Sequence, residues 1–258
     1  MNFDKSQSGV LLCAKYAFMP NKLQYCGGDQ NAAIFELTAI NDPDGTLNFA
    51  LREFETLYPY LKLIAAANKI SDPFDPAVVE AYWLGNELLN NVQMKNLYNH
   101  FVDGLKLKKR MKLDQFENIV AKIPRGAIPH HSFHVFNIWQ RTGHTASAHT
   151  IETMDNCRIG WGKIIDIGEN ELVIETKKLQ LADAFGATGT ATVTVQFSPP
   201  QIKKIIYKMF GESFIKNPQI GDWVSCHWGW ACDVLTLKQV ENLKKYTLHN
   251  LALANLAD

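Results

Sequence analysis

The sequence predicts an α+β protein in which an all-α N-terminal part is followed by a β-rich part that ends in a helix. Three observations carry this. Apolar residues recur at helical spacing through the first half, the texture changes near Ile151 to short alternating runs, and a helix-start signal follows the last of those runs. The divisions fall at residues 1–125 for the helical part, 126–150 for a histidine-rich bridge and 151–258 for the β-rich part with its closing helix.

Taken in order, "LQYCGGDQNAAIFELTAI" contains Gly27 and Gly28, which permit a tight turn, and Asp29, placed to cap the helix predicted over "NAAIFELTAI". From Thr46 to Lys69, Leu47, Ala50, Leu51, Phe54, Leu57, Tyr58, Leu61 and Ile64 form an i, i+3, i+4 stripe, which Pro59 should end or kink midway. In "SDPFDPAVVEAYWLGNELL", Asp75 is a helix cap and Pro76 takes the first helical position, where no N–H is needed. Two more helices are predicted around Met94–Leu107 and Leu113–Ile123, and Pro124 and Pro129 close the helical part.

In the second half, "GKIIDI" and "ELVIET" flank the turn-like "GEN" as a hairpin, and "TATVTVQF" alternates as a further strand. "GDWVSCHWGWACDVLT", Gly221–Thr236, reads as two strands and a turn. Thr236 and Gln239 then make a capping box, and Leu235 with Val240 has the spacing of a hydrophobic staple. A helix should run from there to about Asn250, with Leu243, Leu248 and Leu251 facing inward.

Composition narrows the function classes. The 258 residues are 47% hydrophobic and 20% charged, an ordinary globular balance. The 26 basic and 26 acidic residues cancel, so no bulk charge points to a nucleic acid or an anionic membrane as partner. No run approaches the roughly 18 to 20 apolar residues of a membrane helix, since "GVLLCAKYAFM" is cut by Lys15. It also lacks the features of an export signal, and a cytoplasmic location is expected. Five cysteines, an odd number, do not read as a disulfide framework, so any interest they hold lies in thiolate chemistry.

Two segments of the second half carry a resemblance. "CRIGWGKIIDIGENELVIET" resembles the opening strand pair of the small [NiFe]-hydrogenase assembly chaperones of the HypC/HupF type, and "IGDWVSCHWGWACDVLTLKQVENLKKY" resembles their later histidine-bearing segment, in the same order. The resemblance covers roughly the last 105 residues, counted from the printed sequence, and implies a small OB-like β-barrel with a C-terminal helix. It also implies roles: Cys157 as a ligand for an iron centre bearing cyanide and carbonyl, held transiently, and His227 as its assistant. The implied partner is a client metalloenzyme precursor or another maturation protein. The chain departs from the family pattern in three places: Cys157 is internal rather than near-terminal, Trp161 replaces a proline, and "FSPPQIKKIIYKMFGESFIKNPQ" is inserted.

The chemistry of the pair is coherent, because a thiolate is a soft donor and an imidazole supplies a second ligand or a hydrogen bond. Arg158, next in sequence, is a candidate to stabilise the thiolate. Cys226, Cys232, Trp223, Trp228 and Trp230 read as packing residues, and the basic run Leu105–Leu113 as a solvated helix end or loop. A second candidate site lies in "IPHHSFHVFNIWQRTGH". If helical, it puts His130 and His134 on one face; if extended, it lines up His130, Ser132 and His134. With His131 and with Cys26, a thiol before a helix start, these residues could form a cysteine- or metal-dependent hydrolase or transferase site between the domains. The leading expectation is a non-enzymatic carrier or assembly chaperone. The alternatives are that enzyme, or a protein-binding module that has lost the metal chemistry.

Overall fold

A computed structural model describes residues 5–140, 142–185 and 191–256. Helices occupy the N-terminal half, and strands followed by a long helix occupy the C-terminal half, so the fold is mixed α+β. The helices are α1 (Lys5–Lys22), α2 (Asn31–Ala39), α3 (Gly45–Arg52), α4 (Leu57–Ala67), α5 (Pro76–Trp83), α6 (Met94–Asn99), α7 (Leu107–Arg110), α8 (Leu113–Ala121), α9 (His131–Phe133) and α10 (Ile151–Cys157). Both α6 and α9 continue into wider π-helical turns, His100–Gly104 and His134–Ile138.

Helix α1 is the hub. Cys13, Ala14, Tyr16, Ala17 and Phe18 are buried on several of its sides, because it packs at once on α2, α3, α5 and the C-terminal sheet. Its approach to the start of α5 is so close that a Cβ on Gly9 would lie 1.6 Å from the Phe74 carbonyl oxygen. The expected single stripe over Thr46–Lys69 is two helices instead. The chain breaks before Leu57, and Pro59 sits in the first turn of α4, where its missing N–H has no intrahelical partner to lose. At α5 the cap is as expected, with the Ala77 N–H donating to Asp75 Oδ1 at 2.9 Å ahead of Pro76. At α2 it is not: Gln30 is the N-cap without a side-chain bond, and Asp29 instead pairs with His144 at 3.1 Å on the surface.

The strands are β1 (Gly160–Ile167), β2 (Glu171–Thr176), β3 (Leu179–Phe185), β4 (Ala191–Phe197), β5 (Gln201–Ile206), β6 (Trp223–His227) and β7 (Trp230–Leu235), followed by helix α11 (Leu237–Ala254). The predicted hairpin is β1–β2, paired Ile164 to Ile174. The order β1-β2-β5-β7-β6 returns to β1 through the Gly160–Cys226 pairing, so the sheet closes on itself. Ile164, Leu172, Ile174, Ile205, Val224, Cys226 and Ala231 fill its interior. The segment that looked like an insertion supplies β5 and is therefore part of this sheet. The strand predicted over "TATVTVQF" is β4, its first residue Thr190 lying outside the described residues. It pairs with β3, which the sequence reading did not anticipate, in a separate two-stranded ribbon.

Helical and β-rich parts share one apolar core running from Val10 to Leu253. Trp230 on β7 is fully buried, with edge contacts to Phe18 of α1 and Phe35 of α2. Removing a side chain of that size from water is worth about 3 kcal/mol or more, enough to tie the two halves together. The bridge of residues 126–150 is not a linker along its whole length: Phe133, Val135 and Phe136 are buried, and α9 with its π turn packs on α10 and α11. The Thr236–Gln239 capping box starts α11 as expected. Leu243 and Leu251 point inward, whereas Leu248 is 43% exposed, the rotation of the helix turning it to solvent.

Candidate metal centre

His227 is the last residue of β6, just before a tight turn in which Trp228 (φ 52) and Gly229 (φ 75) are both left-handed. Strand alternation explains why it does not share the fate of its neighbour. Val224 and Cys226 point into the closed sheet, while Ser225 and His227 face α1. His227 Nδ1–H donates to the Tyr16 carbonyl at 2.7 Å. A carbonyl only accepts, so in the neutral ring the lone pair is on Nε2.

Cys157 ends α10 rather than opening a strand. Its helix starts in a reciprocal Thr150–Thr153 cap, and its last turn is fixed by Asp155, whose Oδ1 accepts from Arg158 Nη2 at 2.7 Å and from the Leu179 N–H at 2.9 Å. Arg158 was expected to support the Cys157 thiolate. Its guanidinium is instead committed to Asp155 and the Lys177 carbonyl, which it meets at 2.6 Å, and lies over the Phe197 ring.

His131 opens α9, with Nε2–H donating to the Cys157 carbonyl at 2.8 Å and Nδ1 3.2 Å from the Tyr82 hydroxyl. Cys157 Sγ and one ring nitrogen each of His131 and His227 all lie within 4.8 Å of one another, and all three residues are buried. Donors sharing one tetrahedral metal stand roughly 3.3–3.8 Å apart, on bond lengths of about 2.0–2.3 Å, so an ion would draw this set inward by about 1 Å. Burial pushes the His131 pKa well below 6.5, and the neighbouring His227 adds to the effect. A neutral imidazole is the ligating form.

The cluster faces a cavity of about 30 Å³, enough to admit at least one water-sized ligand. Cys26 and His134, the other members of the second predicted site, line the same cavity. His134 Nε2–H donates to the Gln140 carbonyl at 2.9 Å. His130 does not join them. It caps α9 by accepting the Ser132 N–H and stacks on Tyr246; the helix begins only at His131, so the extended alternative is not realised, and His130 stands outside the helix and does not line the cavity that His134 lines. The two candidate sites thus merge into one, less His130. Cys226 and Cys232 are buried apart from it, their thiols pushed to higher pKa by desolvation, Cys232 well above the ordinary value. Sequence reasoning had not joined His131 to Cys157 and His227, nor found the residues that orient the histidines, Tyr16 and Tyr82. Only the adjacent histidines of "PHHSF" hinted at the first.

The donor set suits a soft or borderline transition-metal ion: one cysteine sulfur and two imidazoles, His227 oriented through Nδ1 and His131 through Nε2, with His131 Nδ1 exchanging the Tyr82 hydroxyl for the ion, and room for a small exchangeable ligand. Fold and site together define an α+β protein with a buried cysteine–histidine cluster set between helices and a closed sheet. The chain belongs to the DUF6390 family, a family of unknown function, whose match spans residues 5–258. No curated protein and no solved structure matches it. No helix among the described residues is long and apolar enough to cross a membrane.

Proposed function

We propose that this is a metal-handling protein, a carrier or assembly chaperone for a metallocentre, in which Cys157, His227 and His131 hold the cargo. One observation carries the reading: donors from a helix end, a strand end and a helix start, far apart in sequence, converge in one buried cavity. The resemblance to the HypC/HupF type supports it, since its two implied positions, Cys157 and His227, are members of this trio. The closed sheet followed by α11 suits the OB-like barrel of that family. This chain differs in adding a third donor, His131 from the bridge, and a wall of helices. That accounts for an internal cysteine, held in place rather than free to reach a partner.

The cargo is a transition-metal ion or small metal fragment, and the client a metalloenzyme precursor or another maturation protein, [NiFe]-hydrogenase being the system the resemblance indicates. None of the five cysteines is in a disulfide, in keeping with a reducing compartment such as the cytoplasm. A hydrolase or transferase reading is favoured only by Cys26 and His134 lining the same cavity.

The test is metal analysis with infrared spectroscopy on full-length protein purified anaerobically from a hydrogenase-competent host. The expected result is close to one equivalent of transition metal in wild type and less than a tenth of that in Cys157→Ser. Cyanide and carbonyl bands in wild type alone identify the iron fragment. Equal metal in both proteins, or none in wild type even after titration with Co²⁺ and Zn²⁺, overturns the reading.

A further inference from the structure

The cysteine–histidine cluster is buried, so a ligand must reach it through a particular part of the wall. All residues lining the cavity are buried except Cys26, Trp139 and Gln140, which are half-buried. Trp139 and Gln140 also line a second, open groove of about 550 Å³. That groove is polar, lined by Asp114, Gln115, Asn118, Asn137 and His149 together with Arg110. Two adjacent residues are therefore common to the wall of a polar surface groove and the wall of the cavity at the cysteine–histidine cluster.

Trp139 is unusual in its own right. It ends the π turn that His134 begins, with φ 55 and ψ 43, a left-handed conformation that bulky side chains rarely adopt and that costs about 1 kcal/mol or more. Glycine or asparagine would take this position with less strain. The indole is held there: its backbone N–H donates to the His134 carbonyl at 2.8 Å, Nε1–H donates to the Ser147 carbonyl at 3.1 Å, and the ring stacks on His149 at 4.6 Å. The strained backbone thus keeps a large ring between groove and cavity.

We infer that the groove beyond Trp139 and Gln140 is the route by which a metal ion or other small polar ligand reaches Cys157, and that Trp139 sets the rate of passage. For a metal cargo this rests on the proposed function, but the route itself is a statement about access to a thiol. The experiment uses both levels. Full-length wild type, Trp139→Ala and Gln140→Ala are alkylated with iodoacetamide and the modified cysteines quantified by peptide mass spectrometry, with Cys226 and Cys232 as internal monitors of unfolding. The expected result is Cys157 modification at least tenfold faster in one or both variants, with Cys226 and Cys232 unchanged. A Cys157 rate equal to wild type in both variants, or rising only in step with Cys226 and Cys232, overturns the route. Stopped-flow Co²⁺ loading then separates the two ideas. Faster alkylation with faster loading and unchanged equilibrium affinity supports route and cargo together. Faster alkylation without any cobalt binding keeps the route and removes the metal reading.

Discussion

The bond from His227 Nδ1–H to the Tyr16 carbonyl decides which ring nitrogen can face a metal, and a comparable restraint acts on Cys157 through Asp155. The Asp155–Arg158 pair is almost fully buried, and Asp155 also accepts the Leu179 N–H, joining α10 to the ribbon. A buried pair of this kind contributes little net stability, but breaking it strands a charge. Asp155→Ala should therefore destabilise the fold by about 3–5 kcal/mol in urea unfolding, with much of the loss recovered in Asp155→Ala/Arg158→Met. Recovery of none of it would show that the Leu179 bond, not the stranded charge, dominates. At this scale Cys157 and His227 were singled out by the resemblance of their flanking segments to the HypC/HupF type, and no local period or spacing marks either residue. His131 was legible only as one of several histidines, because its partner is a carbonyl 26 residues away and no spacing rule encodes that contact.

Elements were readable where their signals are local and misread where packing decides. Asp75–Pro76 and Thr236–Gln239 are short-range devices, and both start the helices they announce. The break between α3 and α4, the π turns and the β3–β4 ribbon follow from how helices meet and from which strand finds which edge, neither of which has a sequence period. The junction of α1 with α5 shows the force of such packing. Gly9→Ala places a methyl against the Phe74 carbonyl and should cost about 3 kcal/mol or more, whereas Gly45→Ala, at the start of α3 with no atom within 4 Å of the new methyl, should be neutral or stabilising by up to about 1 kcal/mol. Thermal unfolding of the two variants checks this, and equal Tm values would refute the close-packed junction.

Across the whole molecule, the shared core determines how the protein responds to acid. His100 and His130 are buried, and their pKa values are lowered to about 3, chiefly by desolvation; His131 is also pushed far down. In the unfolded chain these rings titrate near 6.5, so between that value and about 3 the unfolded state binds more protons than the folded one. Stability is then fully present above pH 6.5 and falls as pH falls, by about 2 kcal/mol at pH 5 for each histidine whose folded pKa is near 3, on 1.36 kcal/mol per unit. Carboxylates titrate in the same range, so the assignment needs a variant. Asparagine at position 130 can still accept the Ser132 N–H as a helix cap but carries no proton to gain. His130→Asn should therefore lose about 2 kcal/mol less than wild type between pH 7 and 5 in denaturant titrations. Parallel pH profiles would mean that His130 takes up its proton within the folded core, and that the core is open to water at α9, the helix that carries His131 to the cysteine–histidine cluster.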